Sequence, residues 1–195
     1  MKSTIRPALV LFGTLTVICG LLYPLAVTGL GQILCPREAA GSMIERDGKV
    51  VGSRLIGQSF TSPKYFWGRP SATSPMANNG SGSSGSNLGP TNPALVEAIK
   101  GRVEALKAAD PTNKKAIPVD LVTASASGLD PEISVAAARY QSGRVATARG
   151  ISAARIAALI EQHSQMQLMG VVGESRVNVL ALNLVLDAET AAPAR

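Results

Sequence analysis

Residues 7–36 contain no Asp, Glu, Lys or Arg. Crossing the hydrocarbon core of a bilayer as a helix takes about 20 residues. A secretory signal has an apolar region of only about 7–15 residues followed by a small-residue cleavage site. This stretch is about twice that length, and no clear A-x-A follows it. It therefore predicts an uncleaved transmembrane helix over 8–34, after a short tail over 1–7. Gly13, Gly20, Gly29 and Gly31 give the span small surfaces, and small residues let a second helix approach closely. Gly20 and Gly29 are accordingly candidates for contact with a partner helix. Pro24 predicts a kink. The tail carries Lys2 and Arg6 and no acid, so the positive-inside bias expects it in the cytoplasm. Residues 35–195 then form an extracytoplasmic, periplasmic domain, and membrane lipid is an expected neighbour.

The formal net charge of +6 raises nucleic acid as a partner. Lys and Arg are spread along the chain with few aromatics beside them to stack bases, so no nucleic-acid partner is expected. Cys19 and Cys35 would lie about 24 Å apart on one helix, which argues against an intrachain disulfide. With His163 the lone histidine, the spacing offers no metal site.

The remainder reads as α+β. A short strand is expected over 49–57, and an aromatic loop follows with Phe60, Tyr65, Phe66 and Trp67. Residues 76–92 are rich in Gly, Ser, Asn and Pro and read as a loop or linker. The literal G-x-G-x-x-G at 80–85 lies inside that loop. It does not follow a strand and open a helix, as a dinucleotide site requires. Asn92 and Pro93 start a helix whose apolar face is Leu95, Ile99, Val103 and Leu106. A strand is expected over 117–123. Asp130 and Pro131 are expected to start a helix ending near Tyr140. Ser152 starts another, with Ile151 and Ile156 as a hydrophobic staple and His163 near its end. Residues 177–187 fit strand or helix, with helix preferred.

Within LVTASASGLDPEIS (121–134), six of the first eight residues are Ala, Ser, Thr or Gly. Small residues permit close backbone approach. Ser125, Ser127 and Gly128 are therefore candidates for contact with a partner surface. The other reading is a tight turn before a helix, and the two are compatible.

The stretches IRPALVLF (5–12), YPLAVTGLGQ (23–32), LIGQSF (55–60), YFWGRPSAT (65–73), SNLGPTNP (86–93), the 119–134 segment and NVLALNLVLD (178–187) resemble, in order, the C subunits (KdpC) of the Kdp high-affinity potassium-transporting P-type ATPases. The resemblance covers nearly the whole chain. It implies a single-span, non-catalytic accessory subunit. The implied partners are a channel-like potassium-binding subunit, an ATP-hydrolysing P-type pump subunit and a small single-helix subunit, in a bacterial inner membrane. Two roles are described for the family: a catalytic chaperone raising the ATP affinity of the pump subunit, and a structural cap on the potassium entrance. In the first, the segment here containing Ser84, Gly85, Ser86 and Asn87 is compared with an ATP-contacting loop. These four are ATP-related candidates, although a domain beyond the bilayer cannot touch cytoplasmic ATP. Arg69, in the GRPSAT stretch, is a further partner-contact candidate. No cofactor is expected to be held firmly, with ATP entering through the pump subunit, and no catalytic residue is assigned. An anchored extracytoplasmic enzyme and an anchored solute-binding module are the alternatives.

Overall fold

The computed structural model describes residues 2–167 and 172–191; the rest of the expected 35–195 domain, residues 168–171 and 192–195, lies outside the described residues. The chain divides into two units, Met1–Val51 and Gly52–Arg195.

The first unit is dominated by the apolar segment. α1 (Lys2–Val17) continues through one π-helical turn, Ile18–Leu22, into α2 (Tyr23–Leu34). Pro24 lacks the N–H that would bond the carbonyl four residues back, and its ring crowds that carbonyl. The helix widens there, and the Tyr23 N–H reaches back five residues to the Ile18 carbonyl. A kink was expected at Pro24; the feature found there is a π-bulge. Thr4–Leu34 forms one helical run of 31 residues that contains an 18-residue stretch of mean hydropathy 2.1 with nothing buried. At 1.5 Å per residue it is about 46 Å long, ample for a bilayer. One turn of helix, α3 (Pro36–Ala39), follows. Then β1 (Met43–Arg46) and β2 (Lys49–Ser53) pair as a hairpin. β2 realises the first part of the strand expected over 49–57. Cys19 and Cys35 are free thiols.

The second unit packs helices on a small antiparallel sheet, as the α+β reading expects. Asn92 accepts from the Ala94 N–H and starts α4 (Pro93–Ala109). Leu106 is buried, and Ile99 and Val103 pack on the core. Ser152 accepts from the Arg155 N–H and caps α6 (Ala153–His163). Ile156, Leu159 and Ile160, one helical face, are all at or below 1% exposure, and Ile151 packs on the same core.

Three expectations fail. The strand expected over 117–123 is instead a single 3-10 turn, Val119–Leu121. Its backbone bonds are local, Val122 N to Val119 O and Thr123 N to Val119 O, and the Thr123 hydroxyl donates to Val119 O as well. The Asp120 carboxylate is meanwhile taken by the Ser134 N–H at 2.8 Å.

The helix expected from Asp130 does not start there. Residues 132–134 form β3 (Glu132–Ser134), which pairs antiparallel with β5 (Arg176–Asn178), Ile133 opposite Val177. Both of those side chains are buried. Ser134 is the cap of α5 (Val135–Arg149), accepting from the Ala137 N–H. Nor does α5 stop near Tyr140. It runs to Arg149 and ends where Gly150, at φ +65°, takes the left-handed conformation that lets the next N–H groups close on Ala146 O.

The 177–187 segment is divided between both readings. β5 joins β3 to β4 (Ser164–Gln165) in the order β3-β5-β4. α7 (Val179–Ala191) takes over at Val179, and Val179, Leu182 and Leu186 enter the core at helical spacing.

Because Ser134 satisfies a first-turn N–H of α5 and also bonds Asp120, Ser134→Ala should lower stability by about 1–2 kcal/mol. Thermal unfolding of the full chain in detergent measures it. A shift no larger than that of Ser142→Ala would refute the capping role.

Candidate functional site

The loops around GRPSAT, SNLG and TASASGLD carry almost no regular structure, so their backbone groups must find partners elsewhere. They find one another. Gly57 N donates to Leu129 O at 2.8 Å, Ser125 N to Pro70 O at 2.9 Å, and Ser84 N to Ser127 O at 3.0 Å. Three stretches far apart in sequence are thereby stitched onto residues 125–130. The approach is too close for side chains. A Cβ on Gly57 would sit 2.6 Å from the Asp130 carbonyl oxygen, and one on Gly85 would sit 2.7 Å from that of Ala126. Small residues are required here by backbone-to-backbone contact.

Hydroxyls complete the crossing. Ser71 Oγ donates to Gly128 O at 2.7 Å and accepts from Asn78 N at 2.9 Å. Thr73 Oγ1 donates to Met76 O at 2.7 Å and accepts from Asn79 N at 3.1 Å. The Ser/Thr residues of GRPSAT thus fold the 76–80 loop back onto the 125–128 turn. The expected linker over 76–92 is an anchored loop.

Arg69 lies at the centre. Its Nη1 meets Asp130 Oδ2 at 3.1 Å and its Nη2 donates to Ala124 O at 3.4 Å. Asp130 Oδ1 accepts from Glu132 N at 3.0 Å, so the residue expected to cap a helix instead closes a short turn and binds an arginine. Beside this pair a cleft of about 480 Å3 is edged by Asp120, Glu132, Ser134, Glu174 and Arg176. Glu132 is paired with Arg176 at 2.6 Å.

The aromatic loop preceding Arg69 is held by two buried amides. Asn183 on α7 accepts from Phe66 N at 2.8 Å and donates to Phe66 O at 3.0 Å. Gln141 on α5 does the same for Trp67 at 2.8 and 3.1 Å. Arg144 lies 4.2 Å from the Trp67 ring centroid and donates to Pro63 O and Tyr65 O. Burial pushes its guanidinium down to about 10, partly offset by Asp110, so it stays protonated at neutral pH.

The structure brings Arg69, Ser84, Gly85, Ser125, Ser127 and Gly128 into one crossing. Ser125 and Gly128 are buried in it, whereas Ser84, Ser86, Asn87 and Ser127 are exposed. The tight-turn reading describes 125–128 well: Gly128 N bonds Ser125 O, and Gly128 has φ +69°. Gly20 and Gly29 lie on the apolar helix with open space where a Cβ would be. Sequence reasoning missed Ser71, Gln141 and Asn183, which read as ordinary polar residues. It also missed Arg102, which donates from Nη1 to Val122 O at 2.8 Å. Arg102 had a usable signal, since it falls three residues after Ile99 and four before Leu106, on the apolar face itself.

Residues 5–188 match the model of the family described as KdpC, K+-transporting ATPase, c chain. The chain is 65% identical over 187 residues to the potassium-transporting ATPase KdpC subunit of Janthinobacterium sp. (strain Marseille), covering 96% of this chain and 99% of that one. It is 62% identical over 187 residues to the subunit of Herminiimonas arsenicoxydans, covering 96% and 98%. It is also 62% identical over 192 residues to that of Variovorax paradoxus (strain S110), covering 98% and 100%. The match takes in the apolar helix, the crossing loops and the helical core alike, and on it the chain belongs to the KdpC family, the c chain of the potassium-transporting ATPase.

Proposed function

We propose that this chain is a non-catalytic accessory subunit of an ATP-driven potassium importer in the bacterial inner membrane. Its relatives are named as subunits of a potassium-transporting ATPase, at nearly full mutual coverage, and that is the observation that carries the reading. The 31-residue apolar helix spans the membrane with the Lys2 end in the cytoplasm, because Lys2 and Arg6 precede it and no acid does. The unit Gly52–Arg195 faces the periplasm. The subunit stabilises the assembly of the channel-like potassium-binding subunit, the ATP-hydrolysing subunit and a small single-helix subunit.

The proposed topology constrains the chaperone role. A hydrocarbon core of about 30 Å separates the folded unit from cytoplasmic ATP. Any effect on the ATP affinity of the pump subunit therefore travels by coupling through the helices. The 84–87 segment agrees with this. The Ser84 N–H that would face a phosphate is already given to Ser127 O, and Gly85 is pressed on Ala126.

Isolation from native membranes in mild detergent tests the reading. The chain should come down with a large polytopic partner and an ATP-hydrolysing partner. Protease added outside sealed spheroplasts should digest it beyond about residue 37. Isolation of the chain alone would favour an anchored enzyme or solute binder. Protection of its C-terminal part until lysis would overturn the topology and reopen direct ATP contact.

A further inference from the structure

Arg69, Pro70 and Ser71 also line a second, smaller pocket of about 210 Å3. One part of its wall is apolar: Phe60, Trp67, Leu106 and Leu121. The polar part includes Arg69, Arg102 and Ser71, and no acidic residue lines it. Arg69 shares its charge with Asp130 through Nη1. Its Nε is buried and has no hydrogen-bond partner, so the guanidinium is incompletely satisfied by the chain itself. Arg102 gives one bond to a neutral carbonyl, that of Val122, and among the described residues no carboxylate is paired with it. Burial holds its guanidinium below the ordinary value.

Arg102 is half-buried, and a guanidinium that lines a pocket with no acidic residue in its wall is complementary to an anion. The planar guanidinium fork matches an oxyanion with two coplanar oxygens. The aromatic and leucine wall suits an apolar body behind that head, and a pocket of this size takes only a small one. We propose that this pocket is a binding site for a small carboxylate carrying a short apolar body, its head held by Arg102 and Arg69 and its body against Phe60 and Trp67. The carboxylate has two possible sources, a free solute or an acidic side chain of a partner subunit.

Trp67 is the chain's one tryptophan and lines the pocket, so its fluorescence reports on the site directly. The full chain, purified alone in detergent, is titrated with butyrate, acetate and inorganic phosphate at constant ionic strength set by chloride. Butyrate should give a saturable change in Trp67 emission, with acetate weaker. Arg102→Gln should weaken butyrate binding about tenfold or more, as loss of a charge-assisted bond does. Arg139→Gln, on the exposed face of α5, should leave it unchanged. Because Arg102→Gln also loses the Val122 bond, Ala105→Leu provides a second variant. It narrows the pocket while keeping both arginines and the Val122 bond, and should also abolish binding while the chain melts normally. Repeating the titration on the isolated complex separates the sources: a retained butyrate response identifies a free solute, and a lost one identifies a partner carboxylate already in place. No saturable change with butyrate, a response to phosphate alone, or undiminished binding in the folded Ala105→Leu chain would overturn the proposal.

Discussion

Gly128→Val should unfold the second unit at temperatures where the parent chain is intact. Two independent costs meet at this residue. Its φ is +69°, in the left-handed region, where a non-glycine residue costs about 1–3 kcal/mol and a β-branched one is a clear outlier. A Cβ here would also lie 2.5 Å from Thr73 Cγ2 and 2.6 Å from the Ser84 carbonyl oxygen. The second of these is backbone, fixed by Ser84 N on Ser127 O, so the crowding cannot be relieved by a rotamer change. Overpacking of this kind adds about 1–3 kcal/mol. The sum, about 2–6 kcal/mol, is a large part of the roughly 5–15 kcal/mol that holds a domain together. At about 2–4 °C per kcal/mol for a unit of this size, the melting temperature should fall by roughly 5–20 °C. Trp67 emission during heating of the full chain in detergent measures it. Ser127→Trp, one residue away but exposed, loses only the bond from Leu129 N to its hydroxyl and the contact with Ser125 Oγ, and should cost about 1 kcal/mol. Equal melting of the Gly128→Val chain and its parent would mean that the 84–85 and 125–128 loops are not locked together.

The contrast between those neighbouring residues shows what the sequence could convey. Low bulk at 123–128 was visible and was read as close approach to a partner surface or as a tight turn. It could not show that much of the approach is to the chain's own residues 57, 70–73 and 84–85, because glycine and serine leave no periodic pattern to assign a partner. α4 and α6 were legible because cap and apolar stripe agree: Asn92 with Ile99, Val103 and Leu106, and Ser152 with Ile156, Leu159 and Ile160. α5 was misplaced because Asp130-Pro131-Glu132 has the form of a helix start. Its competitor, the pairing of Ile133 with Val177, involves strands of three residues, too short for alternation to register. The apolar span was legible from charge alone. From Pro24 a kink was expected, and the π-helical turn Ile18–Leu22 before it was not. Arg69 was picked out from its motif, whereas its pairing with Asp130 needed the fold.

Asn183→Leu should be about as damaging as a core truncation, although it replaces a polar residue with an apolar one of the same branched shape inside an apolar core. Asn183 is 1% exposed, and both ends of its amide are used: Oδ1 takes the Phe66 N–H and Nδ2 gives to the Phe66 carbonyl. The side chain acts as one rung of a sheet, offering the loop the donor and acceptor that a neighbouring strand would supply. Leucine fills the space and satisfies neither group. Each orphaned buried backbone group costs about 1–3 kcal/mol, so the change should cost about 2–6 kcal/mol less whatever the extra apolar burial returns. Gln141 performs the same service for Trp67. The two amides come from different helices, α7 and α5, and between them they fix the loop that delivers Arg69 to the crossing. Adjacent rungs on one strand are coupled, so the double variant Asn183→Leu, Gln141→Leu should lose less than the sum of the single variants. Once one rung is gone the loop is already partly detached, and the second has less to hold. Chemical denaturation of the four chains, followed at Trp67, gives the coupling. Strict additivity would show two independent hydrogen-bonded sites. A neutral Asn183→Leu would show that the Phe66 backbone finds other partners, and with that the explanation of why a buried asparagine stands in the middle of an apolar helix would fall.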